Sequence, residues 1–253
     1  MVFGAADFIG GIAQVCDNVV MPLAYQASLF TALSDDQLTG VEPDILGASV
    51  SRTHLSHGAW VDVRRDWIRG ADTLFEELVV RVPWRAERRA MYDRVVDVPR
   101  LLCFYTDSTM LPHPSLGAAK AVLDRHYGAE LGEPFATAGL CLYRDGQDSV
   151  AWHGDTIGRG ATHDTMVAII SVGTPRALLL RPRAGSGIGG SDIGGGGIGG
   201  GIGGGETLRY ELGHGDLLVM GGSCQRTWEH AVPKTARPTG PRISIQFRTQ
   251  GVR

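Results

Sequence analysis

What this chain can fold into is most constrained by residues 141–155, Cys-Leu-Tyr-Arg-Asp-Gly-Gln-Asp-Ser-Val-Ala-Trp-His-Gly-Asp, which end in His153-Gly154-Asp155. On an extended backbone side chains alternate with period two, so His153 and Asp155 point the same way. They offer two neighbouring ligands to a divalent metal. An iron(II) centre that must also bind a cosubstrate and oxygen takes two imidazoles and one carboxylate on one octahedral face and leaves the other positions open. A fold that uses this pair has to bring a third ligand in from elsewhere, with an anchor for the cosubstrate beside it.

Both are available near the C-terminus. Residues 226–234 read Arg-Thr-Trp-Glu-His-Ala-Val-Pro-Lys, and His230 is the candidate third ligand. His163, beside Asp164, and His214, in a Gly-rich turn, are its rivals; His230 is preferred because Arg242 follows it. The run Arg242-Ile-Ser-Ile-Gln-Phe-Arg248 alternates cleanly, with Ile243, Ile245 and Phe247 on one face and Arg242, Ser244, Gln246 and Arg248 on the other. Such a polar face can line a pocket instead of meeting solvent. Six residues of strand separate the two arginine Cα atoms by roughly 20 Å, so their side chains can reach a small dicarboxylate from its two ends. Guanidinium suits that work because its paired donors are planar.

His-x-Asp, a distant His, and Arg-x-x-x-x-x-Arg after it resemble the AlkB family of iron(II)/2-oxoglutarate dioxygenases. The surrounding residues resemble its nucleic-acid demethylases too: Leu142-Tyr143-Arg144-Asp145 with Asp148-Ser149-Val150 and Trp152-His153, then Trp228-Glu229-His230-Ala231-Val232-Pro233-Lys234. The likeness runs over about residues 96–250. It implies that His153, Asp155 and His230 bind Fe(II), that Tyr143 donates its hydroxyl to 2-oxoglutarate, that Arg242 pairs with the distal carboxylate of that cosubstrate, and that Arg248 faces the carboxylate that chelates iron. O2 is the oxidant. Cys141 and Ser244 stand where many relatives carry Asn, and they are expected to line the same pocket. Thr156-Ile157-Gly158-Arg159 follows the metal motif, where relatives often carry acidic residues that read the base.

The implied activity is oxidative demethylation of 1-methyladenine and 3-methylcytosine in DNA, or in RNA, acting on a flipped or single-stranded base. The family places its substrate lid in the region of residues 51–95. Trp67, Trp84, Tyr105, Trp152 and Arg159 are the candidate substrate contacts. Arg64, Arg65, Arg85, Arg88 and Arg89 read either as a solvated face or as a rim for phosphates. Two other readings of the chain stand beside this one: the same chemistry on a protein or small molecule, and a jelly-roll binding module without catalysis.

A net charge of −3 excludes a molecule that is basic throughout, so nucleic acid would need a local basic patch. Four cysteines without C-x-x-C spacing fit a reduced, cytoplasmic setting. Asp7 and Asp17 interrupt the apolar N-terminus and no basic run precedes it, so neither signal peptide nor membrane span is expected. A monomer is expected.

The fold class expected is mostly β with flanking helices, an α+β arrangement around a double-stranded β-helix, or jelly roll. Residues 1–50 form an N-terminal segment, partly mobile, and 51–253 the dioxygenase domain, with the jelly-roll core in 96–253. Helices are read at Asp72–Val82 and Leu116–Gly128. Strands are read at Ala59–Ile68, Pro99–Tyr105, Phe135–Tyr143, Thr165–Val172 and Arg176–Arg183. Thr207–Leu212 and Leu217–Met220 are read as a hairpin around Gly213-His-Gly-Asp216. Residues 184–205 are mostly Gly, with few side chains to bury, and read as a disordered insertion.

Overall fold

The computed structural model describes residues 40–91, 94–106, 110–184 and 207–252. The expectations for residues 1–39 and for nearly all of the Gly-rich insertion lie outside them.

Four short strands, β1 (Glu42–Pro43), β2 (Ser51–His54), β3 (Ala59–Arg64) and β4 (Ile68–Arg69), precede helix α1 (Ala71–Arg81). Strands β5 (Arg85–Met91) and β6 (Arg94–Tyr105) follow, then α2 (Pro114–Leu131). Eight more strands complete the chain: β7 (Phe135–Tyr143), β8 (Val150–His153), β9 (Val167–Gly173), β10 (Arg176–Pro182), β11 (Leu208–Leu212), β12 (Asp216–Gly222), β13 (Trp228–Val232) and β14 (Arg242–Thr249). A single turn of helix, α3 (Cys224–Thr227), links β12 to β13.

A large sheet runs β2-β3-β12-β9-β14-β7-β6-β5 and a small one runs β11-β10-β13-β8. From β7 onward the chain crosses between them repeatedly: β7, β9, β12 and β14 lie in the large sheet, and β8, β10, β11 and β13 in the small. That alternation is the double-stranded β-helix.

The central strands of the large sheet are buried on both faces. Leu74, Phe75 and Leu78 of α1 and Leu116 and Leu123 of α2 cover one face, against Leu140, Ile170, Ile243, Ile245 and Phe247. The other face meets the small sheet through Leu102, Tyr143, Ile169, Leu178, Leu180, Leu218 and Val232. Each fully buried Leu, Ile or Phe contributes about 1.5–3 kcal/mol. The period-two pattern of β14 therefore sends its apolar residues under the helices and its polar row into the space between the sheets. The polar face lines the interior, as its sequence allowed.

The helices follow local signals. α1 has Asp72 in its first turn and Arg81 in its last, each at the end the helix dipole favours, and Arg81 pairs with Glu77 at 2.8 Å. α2 begins on Pro114, with the His113 side chain accepting the Ser115 N–H, and ends at Gly132 in the left-handed region.

One expectation is corrected. Residues 207–220 are not a hairpin, because β11 pairs with β10 and β12 with β3 and β9. Asp216 accepts the N–H groups of Gly213 at 2.7 Å and Asp66 at 3.0 Å and pairs with Arg65, so the turn is tied to the segment after β3 and becomes a corner between sheets. Residues 51–91 lie in the region that the resemblance assigns to the substrate lid. They supply β2 and β3 at one edge of the large sheet, β5 at the other, and the covering helix α1.

Candidate metal centre

The first ligand pair is positioned by a pinned turn. Asp148 takes a bidentate ion pair from Arg144 at 2.8 Å, closing the turn that leads out of β7. Arg176 is buried beneath it and donates to the backbone carbonyls of Asp145 at 2.8 Å, Asp148 at 2.9 Å and Pro233 at 2.8 Å. This ties the turn to β10 and to the segment after β13. β8 then runs antiparallel to β13 with His153 opposite His230.

The two imidazole centroids lie 4.2 Å apart. The ligand atoms of His153, Asp155 and His230 all fall within 4.8 Å of one another, the one such metal-binding group among the described residues. Nδ1 of His153 donates to the Ala151 carbonyl at 2.9 Å, which turns Nε2 toward the cluster, 3.8 Å from Asp155 Oδ1. Gly154 is needed between them. A Cβ there would collide with the Gln225 carbonyl oxygen and stand 2.9 Å from a terminal nitrogen of Arg183.

Asp155 is buried, and burial alone would push its pKa up. The Arg248 guanidinium, helped by the nearby histidines, outweighs this and holds the carboxyl at about 2. Arg248 Nε donates to Asp155 Oδ2 at 2.6 Å, and Gln225 Oε1 accepts the Asp155 N–H at 3.0 Å. His230 is pushed down to about 3, first by burial and then by His153. At neutral pH the cluster thus holds a neutral imidazole and a carboxylate, the forms that bind metal. Two imidazoles and one carboxylate are the donor set that suits iron(II) with open positions.

The inner row of β14 lies beside this cluster. Arg242 is 1% exposed and donates from Nε to Ser171 Oγ at 2.9 Å. Its Nη1 is buried without a partner among the described residues, and burial lowers the guanidinium pKa. The Arg242 guanidinium carbon lies 5.3 Å from the ring centroid of Tyr143, its cross-strand partner. Burial pushes the Tyr143 phenol up to about 12, so it is a neutral donor. Ser244 is opposite Cys141. Gln246 Nε2 donates to Ser244 Oγ at 3.3 Å and reaches Cys141 Sγ at 3.9 Å, while its Oε1 accepts from Arg248 Nη2 at 2.6 Å. A buried guanidinium with an orphaned donor and no carboxylate partner fits an organic acid as its missing ligand.

The structure does not bring the predicted aromatic contacts to this centre. Trp67 is 0% exposed in the helix-covered core, with Nε1 donating to the Asp44 carbonyl at 2.8 Å. Trp84 packs on the same core and donates to the Val79 carbonyl at 3.2 Å, and Tyr105 packs there too. Trp152 alternates with His153 and so faces outward, where Arg181 covers its ring at 4.2 Å. Arg159 is engaged by Glu133 at 2.8 Å. Three of the rim arginines are also committed: Arg64 to Asp44, Arg65 to Asp216 and Arg88 to Asp97. Of the rival ligands, His214 accepts the Gly173 N–H at 2.8 Å and His163 pairs with Thr162.

A sequence model of the 2OG-Fe(II) oxygenase superfamily matches residues 69–248, a span that holds every residue of this cluster. The chain belongs to the AlkB family of these oxygenases. It is 30% identical over 210 residues to alpha-ketoglutarate-dependent dioxygenase alkB homolog 3 of Bos taurus and, equally, of Homo sapiens, covering 79% of this chain and 66% of each relative. It therefore spans just under two thirds of their length. It is 28% identical over 193 residues to DNA oxidative demethylase ALKBH2 of Arabidopsis thaliana, covering 70% of this chain and 61% of that one. In fold it is similar to the solved structure described as "The structure of OsALKBH1", with a TM-score of 0.50 at 12% identity over 79% of this chain and 100% of that one.

Sequence reasoning missed Gln225, Ser171 and Gln246 as parts of this AlkB-family site. Gln246 carried a signal, since it shares the polar face of β14. Gln225 and Ser171 carried none, because their roles arise only where α3 and β9 meet residues 70 or more positions away.

Proposed function

We propose that this chain is an iron(II)- and 2-oxoglutarate-dependent dioxygenase that removes N-methyl groups from nucleic-acid bases, with 1-methyladenine and 3-methylcytosine in DNA or RNA as substrates. The observation that carries this reading is the His153, Asp155 and His230 cluster joined through Arg248 to a strand whose inner row ends in the buried, half-partnered Arg242. The relatives named as DNA oxidative demethylases support the substrate class.

His153, Asp155 and His230 would hold the iron. With 2-oxoglutarate and oxygen, such a centre supplies an oxidant able to hydroxylate a C–H bond while the cosubstrate becomes succinate and carbon dioxide. Arg242, with its unpartnered Nη1, would take the distal carboxylate of the cosubstrate, and the neutral Tyr143 hydroxyl would donate to it as well. Arg248 keeps Asp155 ionised and fixes one of its oxygens, so the carboxylate cannot rotate away from the two imidazoles. Gln246 holds Arg248 in turn and orders Ser244 and Cys141 along the wall. Leu178, Leu180 and Val232 pack in one buried cluster with Cys141 and Tyr143. A base reaches the centre only unpaired, flipped out or in a single strand. Its hydroxylated methyl group then leaves as formaldehyde.

The test is to incubate the protein with iron(II), 2-oxoglutarate and single-stranded oligonucleotides carrying either lesion. Formaldehyde and succinate should appear in equal amounts, and His153→Ala should abolish both. Succinate without formaldehyde, at a rate indifferent to the oligonucleotide, would move the substrate to a protein or small molecule. No succinate at all would leave a binding module.

A further inference from the structure

The two imidazoles of the cluster stand on strands that share little backbone pairing. β8 is an edge strand of the small sheet, 4 residues long, with β13 as its neighbour. Two register pairs join them, His153 with His230 and Val150 with Val232, and the register shifts between the two. A bulge leaves a residue unpaired and breaks the ladder locally, so the ladder alone defines the spacing of the two imidazoles poorly.

Arg176 holds both strands from outside that ladder. It is 4% exposed and opens β10, ahead of Leu179–Pro182, the part of that strand that pairs with β13. Its Nη2 donates to the Asp148 carbonyl at 2.9 Å, just before β8, and to the Pro233 carbonyl at 2.8 Å, just after β13. Its Nη1 donates to the Asp145 carbonyl at 2.8 Å. The Thr235 N–H adds a backbone bond to the Gly146 carbonyl at 2.8 Å. The ends of β8 and β13 that lie away from the histidines thus meet on one side chain. The same guanidinium also faces Tyr143: its carbon lies 5.7 Å from the ring centroid, and that of Arg242 lies 5.3 Å from the same centroid.

We propose that Arg176 is a positioning residue for both halves of the site. It sets the separation of His153 and His230 by clamping β8 to β13, and it fixes the Tyr143 ring beside Arg242. Metal ligands and cosubstrate contacts are then built on one buried guanidinium. This rests on the iron(II) and 2-oxoglutarate reading above and is independent of the substrate. Arginine suits the place because its planar fork of donors reaches three carbonyls at once and lies against a ring. A lysine there keeps the charge and loses the fork.

The test is calorimetric titration of the full chain under nitrogen, with cobalt(II) as the metal and then with 2-oxoglutarate on the cobalt-saturated protein. Arg176→Met and Arg176→Lys are compared with wild type and with Leu123→Ala, a buried position of α2 whose loss destabilises the helix-covered core without touching the site. Both Arg176 variants should bind cobalt(II) about tenfold more weakly or worse. They should bind 2-oxoglutarate roughly three- to tenfold more weakly, as expected of a residue that acts through another. The visible absorption of bound cobalt(II) should change with them, because the ligands move. Leu123→Ala should lose melting temperature while keeping both affinities and the wild-type spectrum. Should Arg176→Met fail to fold, Arg176→Lys carries the comparison. Wild-type affinities in a folded Arg176 variant, or an equal loss of cobalt(II) affinity in Leu123→Ala, overturn the assignment. Loss of cobalt(II) affinity with 2-oxoglutarate binding intact overturns its Tyr143 half. Wild type that takes up no cobalt(II) overturns the iron reading and this one with it. A protein that shows the Arg176 dependence but releases no formaldehyde would fail as a demethylase while Arg176 kept its role.

Discussion

Arg242→Met separates a residue kept for a ligand from one kept for the fold. Without ligand, Arg242 is a buried cation that donates to Ser171, interacts with Tyr143 and keeps an orphaned Nη1. A hydrogen bond to a charged group stabilises by about 1.5–3 kcal/mol, and a buried polar atom left unpaired costs about 1–3 kcal/mol. The two nearly cancel, so Met, of similar length and apolar, should leave the ligand-free protein within about 1 kcal/mol of wild type, or roughly 2–4 °C for a chain of this size. With 2-oxoglutarate at a hundred times its Kd, wild type should gain about 2.7 kcal/mol, hence roughly 5–11 °C. Losing one partner of a buried charge pair costs about 2 kcal/mol or more, a fall of about thirtyfold in affinity. At the same concentration the variant should then gain about 0.8 kcal/mol or less, a shift of roughly 2–3 °C at most. The assay is thermal melting under nitrogen with iron(II) present. A variant that keeps the full 2-oxoglutarate shift would show that Arg242 does not hold the cosubstrate. One that collapses by tens of degrees before any ligand is added would show that it belongs to the core.

Three further outcomes are expected. His230 falls from 6.5 unfolded to about 3 folded, so the folded state binds its proton less readily; metal-stripped protein should be fully stabilised above pH 6.5 and lose that contribution as pH drops toward 3, and His230→Gln should flatten the melting temperature across this window. Gly154→Ala should cost most of the metal affinity, read by calorimetric titration with cobalt(II), because its Cβ meets the Gln225 carbonyl and Arg183; unchanged affinity would mean that the ligand loop has room to yield. Trp67→Ala should destabilise by about 3–5 kcal/mol in urea unfolding, as a buried core Trp does; a stable variant with weakened oligonucleotide binding would return Trp67 to the substrate site.

The candidate metal ligands were legible because their chemistry is local. A His-x-Asp on an extended chain aligns two donors whatever surrounds it, and few other residue sets satisfy iron(II). The alternation of Arg242–Arg248 is equally local, and it told which residues of β14 share a face. What that face would meet was another matter, because period two is the same for a strand facing solvent and for one inside a double sheet. The orientation of the strand aromatics was not legible for this reason: Phe104 and Tyr105 differ by one position, and nothing in their order says which one turns to the helices. The corner at Gly213–Asp216 failed for a related one, since turn residues announce a change of direction but not whether the next strand pairs with the last or crosses to another sheet. The amino-acid order alone thus determined the donors, the strands and the parity of their faces. Only the tertiary structure decided which side of each sheet became the interior, because that follows from how two sheets and two helices cover one another over long separations in the chain.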